Sequence, residues 1–99
     1  MALTHWAFIY VAEGCDPARD VSVVDTGACR TVLVGVGRAE QVVEAAASAA
    51  ADGAQLIELC GGFGPEWTAR VIREVGDGVA VGSVGYGPES IGRLHAIFR

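Results

Sequence analysis

A chain of 99 residues, 52% apolar and 19% charged, holds one domain at most and is too hydrophobic to stay disordered. A net charge of −5 with seven scattered arginines and no lysine argues against nucleic acid and anionic membranes as partners, because both need clustered cations to displace counterions. The cysteines Cys15, Cys29 and Cys60 are odd in number and lack CxxC spacing, so neither a disulfide framework nor a zinc knuckle is expected, and reduced thiols fit a cytoplasmic protein.

His5–Val11 reads as a strand, rich in aromatic and β-branched residues and ended by the turn residues Glu13-Gly14-Cys15-Asp16-Pro17. The apolar run Trp6–Ala12 is too short for a signal core or a membrane span. Val21–Val24 is a short extended piece. Thr31–Val36 is a continuous apolar run of the kind found in strands covered on both faces, as in parallel sheets. From Ala39 to Asp52 the period changes. Ala39, Val42, Val43, Ala46 and Ala50 recur at helical spacing with Glu40, Gln41, Glu44 and Ser48 on the other side, and Gly53 stops the helix. Alanine dominates this span, which favours a helix and disfavours a strand. A strand (Gln55–Cys60), a helix (Pro65–Val75), a strand (Val79–Val84) and a last helix (Pro88–Phe98) follow. Strands alternating with helices at this length predict one α/β domain over residues 1–99, with about four mostly parallel strands and three helices in two or three layers.

An internal repeat punctuates the second half. Gly62-Phe63-Gly64-Pro65-Glu66 with Arg70 returns as Gly85-Tyr86-Gly87-Pro88-Glu89 with Arg93, a shift of 23 residues from 62 to 85. Such strand-to-helix turns lie at the C-terminal edge of a parallel sheet, where α/β proteins carry ligands. Gly61, Gly62, Phe63, Gly64, Tyr86 and Gly87 are therefore candidate ligand contacts, with Phe63 and Tyr86 placed to stack on a ring or, equally, to contact a partner subunit. Glu66 and Glu89 already complement the helix dipoles and are spaced to pair with Arg70 and Arg93. Neither a dinucleotide fingerprint nor a phosphate-loop Gly-Lys-Ser/Thr is present, so no cofactor is assigned.

Under the same shift Glu58 aligns with Val81 and Cys60 with Ser83, so a carboxylate and a thiol stand where the second unit has an aliphatic and a hydroxyl. Two apart on a strand, Glu58 and Cys60 are expected to share a face, the first as a buried acid/base and the second as a nucleophile near glycine N–H groups. Against this stands the bland reading of a small buried thiol and a paired carboxylate. His5 begins the first strand and faces the opposite edge, His95 lies late in the last helix, and no cluster has metal-ligand spacing. Trp6, Tyr10 and Trp67 are assigned to core or interface packing.

Val23-Val24-Asp25-Thr26-Gly27-Ala28 spells the catalytic loop of an aspartic protease. One such motif per chain demands a homodimer in which two aspartates share a proton, as in the retroviral enzymes, and Ile91-Gly92-Arg93 is similar to that family's second motif. That family is all-β, whereas this chain has an alanine-rich helix in its middle. Asp25 is thus read as a turn residue, with the protease kept as a remote alternative.

The segment Leu56-Ile57-Glu58-Leu59-Cys60-Gly61-Gly62-Phe63-Gly64-Pro65, with the opening Ala-Phe-Ile strand, Asp16-Pro17, Val24-Asp25-Thr26 and Val34-Gly35-Val36, resembles a family of small bacterial proteins of unknown function, domain-of-unknown-function family 6506. The resemblance covers most of the chain and implies no activity. Two functions are carried forward: a binding module with a small molecule at the glycine-rich edge, and a small isomerase or hydrolase using Glu58 and Cys60. With three helices for two sheet faces, part of the sheet is expected to be covered by a second copy, giving a homodimer or larger homo-oligomer.

Overall fold

The computed structural model describes residues 2–98 and contains five strands and three α-helices: β1 (His5–Val11), β2 (Val21–Asp25), β3 (Arg30–Val36), α1 (Val42–Ala51), β4 (Leu56–Leu59), α2 (Gly64–Val75), β5 (Ala80–Ser83) and α3 (Ile91–Ile97). The strands form one sheet in the order β2-β3-β1-β4-β5, parallel throughout except for β2, which runs antiparallel to β3 at the edge. The α/β class is as the sequence predicts, and the short piece at Val21–Val24 supplies the fifth strand.

Alternation along the strands decides which side chains form the core. Ala7 and Ile9 of β1, Val34 and Val36 of β3, and Ile57 and Leu59 of β4 lie on one face and pack with Val42 and Ala46 of α1 and Val71 of α2. Trp6, Phe8 and Tyr10 of β1, Leu33 of β3 and Leu56 and Glu58 of β4 occupy the other face and take no part in that cluster. The Thr31–Val36 run is therefore covered by helices on one side only. Its unbroken hydrophobicity marks two different surfaces, one buried by the fold and one left open.

The helix ends follow local chemistry. The side-chain oxygen of Gln41 accepts from the N–H groups of Gly37 at 2.9 Å and Arg38 at 3.1 Å, which fixes the entry to α1. At its exit Gly53 has φ +107°, and the N–H groups of Gly53 and Ala54 close onto the carbonyls of Ala50 and Ala49, a Schellman ending that needs a residue without a Cβ penalty.

Asp25-Thr26-Gly27 is the turn of the β2–β3 hairpin. The Asp25 carboxylate accepts the Gly27 N–H at 2.9 Å, the Thr26 hydroxyl accepts from Ala28 and Cys29, and Asp25 lies 3.8 Å from Arg30 across the hairpin. The sheet around this turn is α/β with three helices, not the all-β fold that the protease reading requires.

The loop between β1 and β2 is tied down by charge. The Asp20 carboxylate accepts from the Asp16 N–H at 2.8 Å and from the Arg19 guanidinium at 2.7 and 3.1 Å, and the Asp20 carbonyl accepts the Gly35 N–H of β3. The Arg19 hydrogen bonds, then the Asp16 N–H, hold the Asp20 carboxyl down to about 2. A depressed folded-state value stabilises the fold above the ordinary carboxylate range near 3.8, and that stabilisation is lost as pH falls through about 2. Asp20→Asn is therefore expected to lower the urea midpoint at pH 7. The gap from the unsubstituted protein should close as the pH approaches 2, and a gap independent of pH would contradict the assignment.

Candidate functional site

At the C-terminal edge of the sheet the glycine turns pack closely against the protein's own side chains. Chain exits diverge there between β1, which leads to β2 and β3 on one side, and β4, which leads through α2 to β5 on the other; open α/β sheets bind ligands at such a switch point. Here a methyl group at Gly62 would press on Val11, and one at Gly61 would collide with the Tyr86 ring. The two glycines let these side chains close over the crevice. Gly64 has φ +76° and opens α2, while Gly87 lies under the folded-back Glu89 carboxylate.

Phe63 and Tyr86, equivalent in the repeat, part company. Phe63 is 5% exposed and belongs to the core, so the expectation that it stacks on a ligand is corrected: it immediately precedes α2, and its ring turns under the helix. Tyr86 is 53% exposed. The expected ion pair between Glu66 and Arg70 is likewise replaced, because the Arg70 guanidinium sits 4.4 Å over the Trp67 ring. Among the described residues the ion pairs are Arg19–Asp20 and Asp25–Arg30, and Glu89–Arg93 is not one of them.

Glu58 and Cys60 do not converge. In a continuing parallel ladder the Val11 N–H would donate to the Cys60 carbonyl; it donates instead to Cys60 Sγ at 3.4 Å, and the carbonyl is taken by the Phe63 N–H. The thiol thus stands in for a ladder acceptor where the strand breaks into the glycine turn, and it packs against the core. Glu58 lies on the other face, partly buried between Phe8 and Gly82. The comparison with Val81 also resolves differently: β4 and β5 pair Leu56 with Ala80, an offset of 24 residues. The one-residue difference from the sequence repeat turns Val81 to the helix face and Glu58 away from it. Glu58 is not a charge inside a strand covered on both sides.

A second polar cluster went unread in the sequence. A Cβ at Gly35 would meet the Tyr10 hydroxyl and Cys15 Sγ, which lie together over this glycine of β3, with Asp20 close by. Burial first, then Cys15 and Asp20, raise the Tyr10 phenol above its ordinary range. The cluster staples the β1–β2 loop onto β3. A signal was present, since Gly35 and Gly37 sit in a strand end where only close backbone approach explains their lack of a side chain.

A concave site lies elsewhere. A groove of about 530 Å³ runs along α1, floored by Ala7 of β1, Val21 of β2 and Val32 and Val34 of β3, with Pro17 and Ala18 of the β1–β2 loop at one end and His5 and Asp52 at the other. Its helical wall is the row Gln41, Glu44, Ala45, Ser48, Ala49 and Asp52. These positions recur every three or four residues and so share one flank of the helix. The groove exists because two helices on one face of a five-stranded sheet leave β2 and β3 without a third; Val21 and Val23 remain largely exposed. Glu44 and Asp52 bring two carboxylates to the rim, roughly 12 Å apart along the helix at 1.5 Å per residue. Among the described residues no arginine lines it.

Fold and groove together define a small α/β protein with one helix-covered face and a ligand-sized apolar groove at its uncovered flank. Among the described residues no helix is long and apolar enough to cross a membrane, and no group of three His, Cys, Asp or Glu is gathered to hold a metal. The chain belongs to the family of unknown function DUF6506, whose model matches residues 4–99. No curated protein and no solved structure matches it.

Proposed function

We propose that this protein is a small-molecule binding module whose ligand has an apolar body and a neutral or cationic head group, seated in the groove between α1 and the β2–β3 hairpin. The observation that carries the reading is the groove itself, with an aliphatic floor large enough for a metabolite and a few polar groups on the rim. The charge of that rim narrows the class. Glu44 and Asp52 repel a carboxylate or phosphate, while His5, Ser48 and Gln41 add hydrogen-bonding groups. The glycine edge supports the same general function less well, because Val11 and Tyr86 occupy it.

A matched pair of probes tests the class. Tryptamine at about ten times its dissociation constant is expected to raise the unfolding midpoint by about 6–10 °C, since a ligand that binds only the folded state stabilises it by mass action. Indole-3-propionate, of similar size but opposite charge, is expected to leave the midpoint unchanged. A shift with the acid and none with the amine would reverse the assignment.

A further inference from the structure

The face of the sheet opposite α1 and α2 carries Trp6, Phe8 and Tyr10 from β1, Leu33 from β3 and Leu56 from β4, none of them in the core cluster. On its β4–β5 side the surface flattens, because Ala80 and Gly82 present almost no side chain and the space over Gly82 is open. The charge at its centre is the Glu58 carboxylate, with no ion-pair partner among the described residues. Such a face, aromatic and aliphatic with one carboxylate, is unsuited to water.

The same chain carries an element that fits it. Ile91, Leu94 and Ile97 of α3 and Phe98 at its C-cap fall along one side at helical spacing, flanked by Arg93 on one edge and His95 on the other. Apart from Leu94 every α3 residue is exposed, with Ile91 at 64%, Ile97 at 69% and Phe98 at 66%. The protomer thus displays one apolar sheet face, partly buried and bearing a carboxylate, and one exposed apolar helix bearing an arginine.

We infer that two copies exchange these elements, each laying α3 across the open face of the other so that Arg93 reaches the partner subunit's Glu58. The small residues of β5 let the helix approach the sheet closely, and its apolar stripe covers the aromatic row of β1. The exchange is isologous: each copy gives a helix and receives one, and the assembly closes at two chains without leaving a further surface to extend it. The groove beside α1 lies on the other face of the sheet, so this assembly and ligand binding stand or fall separately.

Light scattering coupled to gel filtration tests the exchange on the full chain at micromolar concentration. The expected mass is that of two chains. Ile97→Asp, at a position exposed in the protomer, is expected to give one chain with an unchanged far-ultraviolet circular dichroism spectrum. Glu58→Arg and Arg93→Glu are each expected to weaken the dimer about tenfold or more, and the double reversal to recover most of that loss, because close interfacial charge pairs are strongly coupled. A single-chain mass for the unsubstituted protein would overturn the inference. So would a dimer whose dissociation constant ignores both Ile97→Asp and Arg93→Glu.

Discussion

Ile9→Ala is expected to destabilise the protein by about 3–4 kcal/mol, the range for deleting a fully buried aliphatic side chain and leaving part of its volume empty. Ile9 is fully buried at the centre of the middle strand, in register with Val34 on one side and Leu59 on the other, all three beneath the helices. No neighbour is free to collapse into the gap, because β1 is hydrogen-bonded along both edges. For a domain of this size such a loss lowers the unfolding midpoint by about 12–32 °C. Val23→Ala on the edge strand is the control. Val23 is exposed, so its truncation should cost less than about 1 kcal/mol, and chemical denaturation of both variants gives the comparison. Equal losses would mean that the division into a helix-covered core and an uncovered flank is wrong.

Ala45→Trp is expected to abolish ligand binding while leaving the fold intact. Ala45 stands on α1 with its methyl toward the groove, between Gln41 and Ala49 on the same flank. An indole there would fill much of the space over Val32 and Val34 and bury its own apolar surface, so the unfolding midpoint should hold or rise. Affinity for tryptamine should fall at least tenfold, the equivalent of about 1.4 kcal/mol, as read by isothermal titration. Undiminished affinity in a folded Ala45→Trp protein would place the ligand outside the groove.

The elements were legible in the sequence because each has its own period. The alanine-rich span could only be a helix, and the aromatic and β-branched opening could only be a strand. The turn at Asp25-Thr26-Gly27 was equally plain, since it carries the side-chain acceptors and the glycine that a turn requires, and Gly27 does have φ +85°; that it closes a hairpin was not. What stayed hidden depends on neighbours that sequence spacing does not name. The repeat equated Phe63 with Tyr86 and Glu58 with Val81, but strand pairing runs one residue out of step with it and a helix start turns one aromatic inward. Glu58 and Cys60 consequently looked like a pair and are not one.

The groove was hidden for a different reason. It is made by an absence, a helix that would cover β2 and β3, and no residue announces a missing element. Its wall was nonetheless in view. Gln41, Glu44, Ser48 and Asp52 form a polar row bordering Ala45 and Ala49, and the same residues read as a wet outer face until the sheet shows what lies beneath them.

The location of the bound molecule is the most direct test of the account, and an amide chemical-shift titration of the isotope-labelled protein with tryptamine reads it residue by residue. The largest shifts are expected at Val32 and Val34 of β3 and at Ala45, Ser48 and Ala49 of α1, with little change at the glycine turns. Saturable shifts centred instead on Gly61, Gly62, Gly64 and Gly87, with the α1 flank unmoved, would contradict it and return the site to the C-terminal edge of the sheet.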